Sequence, residues 1–134
     1  MSSSTMHPGH DIESARHATA ARLIAADKVE GTAVYNLQGD QLGTVETFML
    51  DKSSGKAAYA VLSFGGFLGI GTRLYPLPWS TLKYDQTQGG YVVNLDKRVL
   101  EGAPSYAEGE AVAWDDRVWG KRVHDYYQAL PYWM

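Results

Sequence analysis

The apolar positions of this chain change their period along its length. Between about residues 29 and 95 they alternate, or run in short blocks divided by polar, glycine-bearing turns. Beyond residue 115 they return every three or four positions. Period two marks strands that bury one face, and a period near 3.6 marks a helix. The middle of the chain therefore predicts a β domain and its end predicts a helix.

Residues 32–35 predict a first strand, and Asn36-Leu37-Gln38-Gly39-Asp40 its turn, with Gly39 free to take positive φ. Residues 42–51 predict a second strand. Val45, Thr47 and Met49 share one phase, and Phe48 and Leu50 share the other. Apolar residues on both phases predict a bulge, or a strand covered on both faces. After a turn at Asp51-Lys52-Ser53-Ser54-Gly55, residues 57–64 predict the third strand, where Ala58, Ala60, Leu62 and Phe64 alternate against Tyr59 and Val61. Residues 73–79 predict the fourth. Pro76 and Pro78 donate no hydrogen bond, so one edge of that strand is expected to be unpaired or bulged. Leu82 and Tyr84 extend it, Gly89-Gly90 turns the chain, and residues 91–95 predict the last core strand.

Asp96 then caps a short helix over residues 97–101, which Gly102 and Pro104 end. Residues 103–114 predict an irregular connector. A final helix is predicted over residues 117–130, with Trp119, Val123, Tyr126 and Leu130 at i, i+4, i+7 and i+11 as one apolar stripe and Pro131 as its stop. The predicted fold class is thus mainly β: a small β-barrel with a short helix after the last core strand and a C-terminal amphipathic helix. Residues 1–28 read as a flexible N-terminal segment, part helical behind Asp11. Residues 29–104 read as the barrel, and residues 105–134 as connector and C-terminal helix.

Composition narrows the chemistry. A chain of 134 residues suits one domain and buries a core without disulfides or metal. It has no cysteine, which excludes disulfides, thiolate metal sites and a cysteine nucleophile. A formal charge of −3 argues against general nucleic-acid binding, which favours a basic excess. No run approaches the ~20 apolar residues that span a bilayer. The N-terminal residues carry no apolar signal core, so a cytoplasmic location is expected.

The candidate sites each meet a simpler reading. The glycine cluster at residues 65–71 suggests a phosphate loop, but such loops lead into a helix, and here a β-rich run, residues 74–79, follows. A hairpin with Phe67 and Leu68 at its tip is the better account, and two apolar side chains at a loop apex suit a partner. His7, His10, Asp11 and His17 match no closed metal site. His124-Asp125 suggests an acid–base pair, yet adjacent helix positions point about 100° apart, and a solvent-facing histidine near a helix end fits better. No nucleophile, base and oxyanion set assembles, so no catalytic residue, cofactor or metal is expected. Lys97, Arg98, Arg117, Lys121 and Arg122 read as a solvated basic face. The C-terminal stripe is the strongest candidate: its large apolar side chains are each worth ~1.5–3 kcal/mol on burial. They pack on the chain's own barrel, on a second copy, or on another protein. Tyr127, Tyr132 and Trp133 lie off the stripe and suit an interface, where aromatic residues are enriched.

A resemblance gathers these features. Gly31, Val34-Tyr35-Asn36, Gly39, Gly43 and Val45 come first, then Asp51, Gly55 and Tyr59-Ala60-Val61-Leu62. Gly65-Gly66-Phe67-Leu68-Gly69-Ile70-Gly71 and Pro76-x-Pro78-Trp79 follow. In this order and spacing they resemble the PRC-barrel domain, the module of the photosynthetic reaction-centre H subunit and of a ribosome-maturation factor. The C-terminal segment resembles the tails of stand-alone bacterial PRC-barrel proteins. The resemblance implies a PRC-type β-barrel that docks onto other proteins. The expectation is a non-enzymatic protein–protein interaction module on a larger assembly, acting as a homodimer, through Phe67, Leu68, Trp119, Val123, Tyr126, Tyr127, Leu130, Tyr132 and Trp133. A ribosome- or RNA-associated assembly factor and a small-ligand-binding barrel are the alternatives.

Overall fold

The computed structural model of the chain describes residues 22–65 and 72–134. Seven strands form one sheet: β1 (Ala33–Tyr35), β2 (Gln41–Leu50), β3 (Ala57–Gly65), β4 (Thr72–Pro78), β5 (Lys83–Asp85), β6 (Gly90–Val92) and β7 (Tyr106–Ala107). Their order across the sheet is β5-β6-β1-β2-β3-β4-β7. Neighbours run antiparallel except β1 and β6, which are parallel. The described helices are α1 (Ala26–Val29), α2 (Lys97–Glu101) and α3 (Arg117–Tyr126). This is the mainly β, barrel-like fold with a short helix after the core strands and a C-terminal helix that the pattern predicts.

The turns form as their side chains dictate. Asn36 Oδ1 accepts from the Gln38 and Asp40 amides at 3.0 and 2.9 Å, and Gly39 takes φ +89°. Asp96 Oδ1 accepts from Val99 N at 2.9 Å and caps α2, which then drives Leu100 fully into the core. The expected irregularity in β2 is present, as register shifts between Val45 and Thr47 and between Met49 and Leu50. The prolines of β4 also sit where their missing amides cost nothing. Pro76 and Pro78 oppose Val61 and Tyr59 of β3, while on the other side β7 meets only Arg73 and Leu74.

Three expectations are corrected. Leu82 and Tyr84 do not extend β4, because a 3-10 turn, Trp79–Thr81, redirects the chain into a separate strand. The last core strand ends at Val92 rather than residue 95, although Val93 N still donates to Tyr35 O at 2.9 Å. The final helix ends at Tyr126, four residues before the predicted end at Leu130: Gln128, at φ +56°, leaves the helical conformation, and the Ala129 amide bonds to His124 O. The helix predicted behind Asp11, the histidines at positions 7, 10 and 17, and the Phe67-Leu68 tip lie outside the described residues. The strands flanking that tip do pair, with Gly65 opposite Thr72.

Val34, Val45, Leu62, Leu77, Tyr91 and Val93 fill one face of the sheet together with Leu100 of α2. Tyr59 and Leu62, three positions apart in a strand of unbroken register against β4, point to opposite faces. Tyr59 therefore joins a second cluster with Val123 of α3, flanked by Trp114, Trp119 and Tyr127. β3 is thus packed on both faces, and α3 is held to its outer one.

Candidate interaction surface

The outer face of β3 and the C-terminal segment build an aromatic assembly around Tyr59. Its ring lies 5.3 Å from His124, 5.6 Å from Trp114 and Tyr132, and 6.3 Å from Trp119, centroid to centroid. These are the tilted and edge-on distances at which aromatic pairs attract beyond simple burial. Trp133 closes the far side at 5.5 Å from His124, and the Arg117 guanidinium stands 5.3 Å from the Trp133 centroid.

The local sequence explains how α3 comes so near. Asp116 caps the helix by accepting from Val118 N at 2.9 Å. One turn in, Gly120 presents bare backbone to the cluster. A Cβ there would lie 3.0 Å from Trp133 Cζ3 and 3.1 Å from Tyr59 Oη. The chain beyond Gln128 then brings Tyr132 and Trp133 back over the same cluster.

The residues singled out in the sequence separate here. Val123 is fully buried, and Trp119 and Tyr127 are half-buried against the barrel. Tyr126 is at the edge and donates its hydroxyl to Val99 O, tying α3 to α2. Leu130 lies beyond the helix and is 80% exposed. Tyr132 and Trp133 join the aromatic assembly. The buried stripe of α3 runs through Gly120, Val123, His124 and Tyr127, which is rotated roughly 80° from the predicted one at 100° per residue. His124 is accordingly not solvent-facing: it is 1% exposed. Its Nδ1 donates to Gly120 O at 2.7 Å. Asp125 points elsewhere and pairs with Lys121 at 2.7 Å, so the two do not form an acid–base pair. Tyr59, Trp114 and Gly120 were not candidates from the sequence. The signal for Tyr59 was its place on the minor phase of an otherwise apolar strand.

Three buried polar atoms have no hydrogen-bond partner among the described residues: Tyr59 Oη, Tyr127 Oη and His124 Nε2. Burial pushes the Tyr59 phenol far above its ordinary pKa, and the Tyr132 phenol adds to the shift. Burial does the same to Tyr127, helped by Tyr126 and Tyr75. The sign follows directly. An acid whose folded pKa is raised keeps its full stability below the unfolded value, near 10, and loses it as pH rises above that value. The loss is ~1.4 kcal/mol per pH unit for each such phenol. Of the nine tyrosines, Tyr59 and Tyr127 are expected to ionise only as the protein unfolds. Absorbance at 295 nm beside near-ultraviolet dichroism checks this. A full titration near pH 10 with dichroism intact would refute it.

The C-terminal segment also carries apolar side chains that stand open to solvent. Val118 and Leu130 are each 80% exposed and Met134 is 85% exposed. Among the described residues, no three metal-ligating side chains converge and no helix is long and apolar enough to cross a membrane.

Among the described residues, seven strands around a self-filled interior, backed by a C-terminal helix, define a small barrel-like β module. The chain belongs to the PRC-barrel domain family, whose model matches residues 22–100. Among solved structures it is similar to a Pseudomonas aeruginosa protein, RimM, described as a 16S ribosomal RNA processing protein. The identity is 19%, over 58% of this chain and 47% of that one, with a TM-score of 0.38. The match spans about half the length of that protein. No curated protein matches the chain.

Proposed function

We propose that this chain is a non-enzymatic, cytoplasmic docking module that forms a homodimer and attaches to a larger protein assembly through its C-terminal segment. The observation that carries the proposal is the exposure of Val118, Leu130 and Met134 on a segment whose Trp119, Val123 and Tyr127 pack against the barrel. Exposed apolar groups on one stretch of chain suit a partner's surface. The non-enzymatic part rests on His124, whose Nδ1 is held by Gly120 O and whose neighbour Asp125 is paired with Lys121.

The test uses the full chain and a Val118→Ser/Leu130→Ser variant. Both positions are open to solvent, so the variant should fold with a stability change within about 1 kcal/mol. Wild type is expected to sediment as a dimer and to retain a protein partner from its host's lysate, and the variant to lose both. A variant that keeps its dimer and its partner would remove this surface from the proposal. Capture of ribosomal proteins that falls as salt rises would favour the ribosome-associated reading instead.

A further inference from the structure

The residues beyond Gln128 are held less firmly than the helix that precedes them. α3 has ties of its own. Val123 is fully buried with Ala58 and Tyr59, Tyr127 packs against both clusters, and the Tyr126 hydroxyl donates to Val99 O. Residues 129–134, by contrast, include no buried residue. The rings of Tyr132 and Trp133 hold them to the barrel, and Tyr132 is itself 38% exposed. On one flank, Leu130 and Tyr132 face Pro78 and Trp79 across a cleft of about 200 Å³. Few buried contacts and an open flank mark a region of low local stability.

The backbone supplies a hinge. The Gln128 amide donates to Asp125 O at 3.1 Å and the Ala129 amide to His124 O at 2.9 Å, with Gln128 at φ +56°. This pair of bonds ends many helices, and its left-handed position usually belongs to glycine. Glutamine carries a Cβ there, so the turn holds a conformation that its residue resists. A change of φ at this one residue frees the Ala129 amide and the chain after it.

Closure also strands polar atoms. A carbonyl oxygen accepts only, so the contact with Gly120 O gives neutral His124 its Nδ1–H tautomer and leaves a lone pair on Nε2. That atom and Tyr59 Oη are buried without a partner among the described residues. Tyr132 lies 5.6 Å from the Tyr59 ring and 6.0 Å from His124, and Trp133 lies 5.5 Å from His124, centroid to centroid. Unmatched burial of such groups opposes closure, and water that enters as the two rings lift restores their bonds.

We propose that residues 129–134 are a latch that swings about Gln128, covering and baring the Tyr59–His124 face while α3 stays on the sheet. Anything that binds that face must first displace Tyr132 and Trp133. The latch is a property of the free chain and stands apart from the docking reading.

The test is ¹⁵N relaxation dispersion on the full chain, read at the amides of Ala129, Leu130, Tyr132, Trp133 and Met134 and at the imidazole of His124. One shared exchange process is expected at all of them, on microseconds to milliseconds, with an open population of about 1–10%, and none at Val61 or Val123. Gln128→Gly gives the turn the residue it favours, and Tyr59→Phe removes one stranded hydroxyl. Each should lower the open population roughly threefold to fivefold. Tyr132→Ala/Trp133→Ala removes the rings that close the latch and should carry the His124 imidazole to its open-state shift. Absence of dispersion beyond Gln128, dispersion there with a silent His124 ring, as simple fraying gives, or exchange that extends to Val123 would each overturn the proposal. So would a Gln128→Gly or Tyr59→Phe variant that opens as often as wild type.

Discussion

Tyr59→Ala is expected to destabilise the protein by about 3–5 kcal/mol, the range for emptying a large aromatic site. The loss comes from one residue that meets Trp114, Trp119, His124 and Tyr132 at once. α3 rests on this ring and on Val123, so the C-terminal segment should detach before the sheet unfolds. Tyr59→Phe should act in the opposite direction. It keeps the ring and removes a hydroxyl that is buried without a partner among the described residues. Relieving that desolvation should raise stability by about 1 kcal/mol. Urea unfolding followed by tryptophan fluorescence in a Trp79→Phe background, which leaves Trp114, Trp119 and Trp133 to report the C-terminal segment, and by far-ultraviolet dichroism for the sheet, separates the two effects. A Tyr59→Phe midpoint below wild type would show that the hydroxyl is bonded, and coincident transitions in Tyr59→Ala would show that the segment and sheet unfold as one.

Gly43→Ala is the second large effect, and it acts on the sheet itself. A Cβ at Gly43 would sit 2.2 Å from Ser63 O and 3.1 Å from Leu62 Cδ1. The Ser63 oxygen is backbone in a paired strand and cannot swing aside as a side chain can. β2 and β3 would have to part at the register that also places Val45 opposite Leu62 in the core. Overpacking of this kind costs about 1–3 kcal/mol, and a lost ladder bond adds about 1 kcal/mol, so a total near 3 kcal/mol is expected. An unfolding midpoint equal to wild type would mean that the strands do not approach this closely.

What the sequence made legible was local. Asn36, Asp51 and Asp96 sit at turns and a cap because their short side chains bond nearby amides, and the structure places them there. The mixed phases of β2 announced its register shifts. The rotation of α3 was hidden, because its contact face depends on a residue with no side chain and on a polar one. Gly120 contributes by absence, and His124 counts as polar until its partner carbonyl is known. The double burial of β3 was hidden for a related reason: alternation names two faces but not what covers each. The parallel pairing of β1 with β6 joins segments far apart in the chain, and no local pattern encodes it.

The two ends of the sheet limit how anything can attach to it. β5 has three residues and carries Lys83 and Asp85, and β7 has two. Such brief edges, one of them charged, offer few open backbone groups for an incoming strand. At those two ends a contact would be read in side-chain shape and charge rather than in a main-chain ladder, and nothing bound there need supply an extended segment.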